Sequence, residues 1–294
     1  MIATVGPALT EAIDRLRAAG SPTPRLDAEV LVAHAVERDR AWVLAHPEAE
    51  LEAAAARALR AAVARRAAGE PIAYIRGFKE WRSLSILTDP RALIPRPETE
   101  LLAEAGMAEI AERLTRDRER VVAWEVATGS GAVSVALAMR FRSALALGRL
   151  TIVASDTSPE ALELAAENLA AHGVSGLVTL ACADLLDPAG GSLPLPDVVI
   201  ANLPYVASAE VDARQGSLGY EPRLALDGGP DGLALLRRLL GDLPRRAGPG
   251  ATVLLEIGVG QVDAITALAP PSASVSVVPD LAGLDRVVRL GMAD

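Results

Sequence analysis

Residues 121–131 read VVAWEVATGSG and run directly into AVSVALAMRF, residues 132–141. The opening six are almost wholly apolar, as in a strand covered on both faces of a sheet. Gly129 and Gly131 permit a tight turn. The ten residues that follow carry apolar side chains at helical spacing. Strand, glycine turn and helix in this order are the first step of an α/β unit. The step repeats: LTIVAS (150–155) precedes PEALELAAENLAAHG (159–173), and LVTLAC (177–182), DVVIA (197–201) and ATVLLEIG (251–258) supply further strands. The alternation predicts a doubly wound α/β sheet. Near the end, SASVSVVP (272–279) and LDRVVRL (284–290) are joined by a short link and are expected to pair antiparallel at the sheet edge.

Upstream the character differs. LDAEVLVAHAVERD (26–39) and EAAAARALRAAVARRAAG (52–69) have helical periodicity, punctuated by Pro22, Pro24 and Pro47 and ended by Gly69. They predict a small helical domain over 1–75. The stretch from Gly69 to Pro97 favours short extended pieces, read as a hairpin linker over 76–100. A helix over TELLAEAGMAEIAERL (99–114) then opens a second domain, 101–294.

Composition narrows the possible functions. The chain has 294 residues and 51% hydrophobic types, the profile of a folded protein. No apolar run reaches the ~20 residues of a membrane span, and the N-terminus lacks a basic cap before an apolar core. The single cysteine, Cys182, cannot form an internal disulfide, and it and the histidines lack metal-ligand spacing. A reducing, cytoplasmic setting without metal or membrane is expected. A formal charge of -9 disfavours a broad nucleic-acid surface.

The glycine turn points to a ligand. Helix N-terminal N–H groups are free there, and Asp156, at the end of the next strand, lies 25 residues beyond Gly131. A carboxylate so placed accepts hydrogen bonds from the two ribose hydroxyls of a nucleoside. Ser134 occupies the third glycine position of the dinucleotide fingerprint, which favours a nucleoside other than NAD. A tight turn, with Asp156 only starting a helix, is the alternative.

Asn202-Leu203-Pro204-Tyr205 directly follows a strand, at the carboxyl edge beside the glycine turn. An amide oxygen, main-chain carbonyls and an aromatic ring suit a planar NH2 group. The nitrogen of an amide is a poor nucleophile because its lone pair is delocalised. Acceptors that favour a pyramidal nitrogen free that lone pair, so catalysis is chiefly positioning and oriented dipoles. The alternative is a proline turn with Tyr205 packed at the core edge.

These residues resemble the protein-(glutamine-N5) methyltransferases of peptide chain release factors. LDAEVLV is similar to that family's helical N-terminal domain, and GEPIAYIRGFKEW and LIPRPETE to its linker and the start of its catalytic domain. EVATGSGAVSVALA, SDTSPEALELAAENL and PDVVIANLPYV follow, then GYEPRLALDGGPDGL and LEIGVGQ. The resemblance implies a Rossmann-like class I methyltransferase core with a mostly parallel seven-stranded sheet. It implies S-adenosyl-L-methionine as cofactor, S-adenosyl-L-homocysteine as product, and a release factor as protein partner recognised by the helical domain. The modified group is the glutamine of a Gly-Gly-Gln motif.

By the same resemblance, Ala127, Thr128, Gly129, Ser130 and Gly131 line the methionine portion of the cofactor. Asp156 holds the ribose, Asp184 and Leu185 adjoin the adenine, and Arg96 and Glu98 belong to a loop over the cofactor. Asn202 and the Leu203 carbonyl grip the substrate amide, Pro204 stiffens the loop and Tyr205 stacks on the amide plane. For Arg96 and Glu98 the alternative is a solvated helix start capped by Thr99. Glu221 and Asp231 are read as turn and capping residues. The chain departs from the family at Ala127 and Leu203, which replace a glycine and a proline, and at Leu185, where an aromatic is common. Because Asn-Leu-Pro-Tyr is also typical of methyltransferases acting on adenine N6 of RNA, that reading stands beside the first. A protein that binds the cofactor without catalysis is the third.

Overall fold

The computed structural model describes residues 4–116, 120–188, 193–214 and 216–293. The chain divides into two compact units, Met1–Phe78 with Arg214–Tyr220, and Lys79–Ala213 with Glu221–Asp294. In the first unit, helices α1 (Val5–Ala18), α2 (Pro24–Ala35), α3 (Arg40–Ala45), α4 (Ala53–Ala67) and α5 (Ile72–Arg76) enclose Leu16, Leu31, Val32, Leu59, Val63 and Ile75. Pro24 opens α2 and the Asp39 carboxylate caps α3 by accepting from the Trp42 N–H, which fits the start signals in the sequence. Arg214–Tyr220 joins these helices although it lies far along the chain. The Tyr220 hydroxyl donates to the Ala68 carbonyl (3.0 Å) and the Ser217 hydroxyl to that of Gly69 (3.0 Å).

The second unit begins with a hairpin, β1 (Phe78–Trp81) and β2 (Leu84–Leu87). Arg82 and Ser83, both at positive φ, form its two-residue turn. After α6 (Glu98–Thr115) come β3 (Val121–Val126), α7 (Ala132–Arg140), α8 (Arg142–Ala146), β4 (Leu150–Asp156), α9 (Pro159–Ala171), β5 (Val178–Asp184), β6 (Asp187–Pro188) and β7 (Val198–Ala201). Then follow α10 (Ser208–Asp212), α11 (Ala234–Arg246), β8 (Thr252–Glu256), α12 (Val262–Leu268), β9 (Ser274–Pro279) and β10 (Asp285–Gly291).

The sheet order is β6-β5-β4-β3-β7-β8-β10-β9. Strands β5, β4, β3, β7 and β8 are parallel, while β10 runs antiparallel to both β8 and β9. This is a mostly parallel α/β sheet, with eight strands where seven were expected. The additional one, β6, is a two-residue piece paired antiparallel with β5, too short to leave a periodic signal.

Alternation along β3, β4, β7 and β8 buries both faces. Ala123, Ile152, Ile200 and Leu254 pack on one side with Leu102 and Ile110 of α6. Val122, Val153, Val199 and Val253 pack on the other with Leu236, Leu239 and Leu240 of α11. Trp81 and Trp124 are buried in these two cores. The chain winds outward from β3 through β4 and β5, then returns through β7 and β8. The strand order therefore reverses between β3 and β7, and their carboxyl ends open the crevice where such sheets bind ligands.

Candidate active site

A cavity of about 400 Å³ occupies that crevice, within the range of small-molecule sites. The β3–α7 turn contributes Ala127, Thr128, Gly129 and Ser130 to its wall. The turn is held from below by Glu125 at the end of β3, whose carboxylate accepts from the Thr128 hydroxyl (2.8 Å), the Ser134 N–H (2.9 Å) and the Ser134 hydroxyl. Glycine is demanded at Gly131 twice over. Its φ is +76°, and a Cβ there would lie 2.9 Å from the Ala165 Cβ. Gly131 itself is not part of the cavity wall. Ala127 adopts the left-handed conformation, with φ 57°, at a cost of about 1 kcal/mol.

Asp156, at the end of β4, lines the cavity and accepts from the N–H groups of Gly129 (2.9 Å) and Ser158 (3.0 Å). Ser158 also caps α9 and Pro159 is its first residue. Asp184 and Leu185 follow β5 in the wall, with Asp184 paired to Arg238 of α11 (2.6 Å). Leu185 is buried at positive φ.

The opposite wall carries Asn202, Leu203 and Pro204, directly after β7. Asn202 Nδ2 donates to the Thr99 hydroxyl (3.1 Å). Thr99 thus lies inside α6, whose N-cap is Pro97, and binds Asn202 instead of capping the helix. Tyr205 is not part of the cavity wall, and its carbonyl accepts from Gln261 Nε2 (3.2 Å). Burial, followed by the charges of Glu256 and Glu98, raises its phenol pKa. Glu98 is likewise absent from the cavity wall, and its charge acts on Tyr205 and Glu256.

Arg96 lines the cavity and is fixed by Glu221, a residue read from the sequence only as a turn former. The Glu221 carboxylate is buried and accepts from Arg96 (2.6 Å) and from the Ile94 N–H (3.2 Å). It ties residues 94–96 to 221–225 on the rim. Asp231 does serve a turn. It accepts from the Leu233 N–H (3.2 Å) and pairs with Arg237, which holds its pKa down to about 2. Asn168 carries no sequence signal of its role, yet its fully buried amide donates to Ser130 O (2.9 Å) and accepts from Leu87 N–H (2.7 Å).

The glycines of LDGGPDGL have a steric function. A Cβ on Gly228 would come within 2.6 Å of the Pro204 carbonyl oxygen, and one on Gly232 within 2.3 Å of the Tyr205 carbonyl oxygen. The segment therefore passes against the main chain of the Asn202 loop and sets its position. Gly232→Ala, which also meets φ +74°, is expected to reduce turnover on the order of 10²-fold through loop displacement while retaining cofactor binding. Wild-type turnover in that variant would show that the loop yields without consequence.

Two buried acids stand out. Burial pushes Glu125 and Glu256 up to about 7 from an ordinary 4.5. Their folded-state values exceed the unfolded ones, so each contributes most to stability below about 4.5 and loses that contribution as pH rises through 7. Glu256→Gln is thus expected to gain stability relative to wild type as pH climbs from 5 to 8, by about 3 kcal/mol at the upper end. Urea midpoints across that range test this, and a difference independent of pH would contradict it.

Among the described residues, no group of three or more His, Cys, Asp or Glu could hold a metal ion, and no helix is long and apolar enough to cross a membrane.

A crevice at the strand-order reversal, walled by a glycine turn, an acid at the next strand end and a polar loop, has the form of a nucleoside site in a mostly parallel α/β sheet. The catalytic domain of hMettl16, solved with the MAT2A 3'UTR hairpin 6, shares the fold at a TM-score of 0.52 and 13% identity, over 79% of this chain and 82% of that one. A release factor glutamine methyltransferase of Moorella thermoacetica is 41% identical over 96% of both chains, and one of Koribacter versatilis 37% identical over 97% of both. Residues 7–77 match the PrmC N-terminal domain. The chain belongs to the release factor glutamine methyltransferases, and it is an enzyme.

Proposed function

We propose that the enzyme transfers a methyl group from S-adenosyl-L-methionine to the side-chain amide nitrogen, N5, of the glutamine in a release factor's Gly-Gly-Gln motif. The observation that carries this reading is the Asn202 amide, which lines the same cavity as the glycine turn and Asp156. Family membership supports the substrate. The chemistry of the cavity supports the cofactor: Glu125 and Asp156 both line it, and both have pKa values raised by burial. A cationic ligand relieves that cost by favouring the ionised acids.

Asp156 would hold the ribose hydroxyls, Asp184 and Leu185 would adjoin the base, and residues 127–131 would follow the methionine portion. The cofactor supplies an electrophilic methyl on a positively charged sulfur. The protein's own part is to orient the acceptor. Asn202 Oδ1 and the Leu203 carbonyl take the two amide hydrogens, and Tyr205 covers the plane. These grips weaken conjugation of the nitrogen lone pair with the carbonyl and align it for in-line attack. Transfer would form the N–C bond as the S–C bond breaks, leaving a neutral thioether, and the nitrogen would release one proton to water. The helical first unit is read as the part that recognises the release factor.

Incubating the enzyme with methyl-labelled cofactor, a release factor and ribosomal RNA tests the proposal. Label in the protein alone is the expected result. Label in RNA alone, or binding without transfer, would overturn it.

A further inference from the structure

Behind the Asn202 loop, at the end of β8, lies a carboxyl group that the mechanism above does not use. Glu256 is 2% exposed, and among the described residues neither of its oxygens has a hydrogen-bond partner. A buried polar group left unsatisfied costs about 1–3 kcal/mol, more when charged, so its presence needs a reason. Its surroundings are mixed. Glu98 raises its pKa, Arg286 lowers it, and the Thr99 hydroxyl and Asn202 amide lie near enough to lower it as well. Tyr205 also feels its charge.

Asn202 can serve the substrate only in one orientation. Its amide has an oxygen on one side and an NH2 on the other, and the shape of the side chain barely distinguishes them. Turned one way, Oδ1 is available to accept from a substrate N–H. Turned the other way, the NH2 group would confront the substrate's own NH2, donor against donor. Something behind the loop must therefore choose.

We propose that Thr99 and Glu256 are positioning residues that lock Asn202 with its NH2 group turned inward and Oδ1 left for the substrate. This inference rests on the reading of Asn202 as the acceptor for the glutamine amide. Asn202 Nδ2 already donates to Thr99 Oγ1 at 3.1 Å. Accepting there leaves the Thr99 hydroxyl proton for the Glu256 carboxylate. An ionised carboxylate can only accept, so with the Thr99 hydroxyl turned to Glu256 a flipped Asn202 would set its oxygen toward another oxygen and lose the bond to Thr99. With the Thr99 hydroxyl turned to Glu256, the chain Asn202 to Thr99 to Glu256 would run in one direction, each bond polarising the next. Thr99 belongs to α6 and Glu256 to β8, while Asn202 directly follows β7, so a loop residue is held by two residues of the scaffold.

The test compares Asn202→Ala, Glu256→Gln, Thr99→Val and Thr99→Ser in the full-length enzyme. It measures kcat and KM with a purified release factor, and cofactor affinity by calorimetry. Glutamine at 256 offers its own NH2 to Asn202 Oδ1 and favours the flipped amide, and valine removes the hydroxyl at nearly constant shape. Both are expected to lower kcat about tenfold or more, with cofactor affinity and KM within about threefold of wild type. Thr99→Ser restores the hydroxyl and is expected to recover kcat to within about threefold. Purely structural roles would not separate serine from valine in this way. Wild-type kcat in Glu256→Gln and Thr99→Val, beside a collapsed Asn202→Ala, overturns the lock and leaves the role of Asn202 standing. Wild-type kcat in Asn202→Ala overturns that role itself. Should Glu256→Gln fail to bind cofactor, the Thr99 pair decides the matter: valine equal to serine contradicts the lock.

Discussion

Asn202→Ala is expected to lower kcat on the release factor by about 10²–10³-fold, the scale seen when one preorganised polar group at a reacting centre is removed. Cofactor affinity is expected to change far less. The side chain lies in the wall of the cavity after β7, and its NH2 is already engaged by Thr99, so its oxygen is the group left to act on a substrate hydrogen. Alanine removes that acceptor and leaves the Leu203 carbonyl alone, so the amide nitrogen is neither oriented nor released from conjugation. A calorimetric titration with cofactor and a steady-state rate on the same preparation separate the two effects. Equal turnover in the variant would show that the loop performs another task.

The second large effect falls on the cofactor. Asp156→Ala is expected to weaken S-adenosyl-L-methionine by about 10²-fold or more, since hydrogen bonds to an ionised carboxylate contribute ~1.5–3 kcal/mol each. Part of the loss is indirect. The same carboxylate accepts the Gly129 N–H and so holds the glycine turn in place. At saturating cofactor, kcat is expected to recover to within about one order of magnitude, because the proposal sets Asp156 against the ribose and not the transferred methyl. Unchanged affinity would remove Asp156 from the ribose site.

Strands β3 and β7 were legible because each is buried on both faces and reads as an unbroken apolar run, Val121–Val126 and Val198–Ala201. The neighbourhood of Asn202 and the glycine turn was legible too, since strand-order reversal brings the ends of β3 and β7 together. What escaped the sequence is of another kind. Glu221 looks like a turn residue until its partners, Arg96 and Ile94, are seen more than 120 positions away. Asn168 sits in an ordinary helix, and nothing in its neighbours tells that its amide joins Leu87 to Ser130. Glycines at 228 and 232 read as flexible turns, whereas their need is set by carbonyl oxygens of a distant loop. Strand β6 is too short for any period to form. Segment 214–220 carries no pattern that would assign it to the N-terminal helices. Local periodicity reports burial along one element; long-range polar pairing leaves no periodic trace.

The central claim is that one amide nitrogen is methylated. Tandem mass spectrometry of a release factor, digested after incubation with enzyme and isotopically labelled S-adenosyl-L-methionine, tests it most directly. A single labelled methyl on the glutamine side chain of the Gly-Gly-Gln tripeptide is the predicted result. An unmodified glutamine in a factor that the enzyme binds, or the label on any other residue, would contradict it.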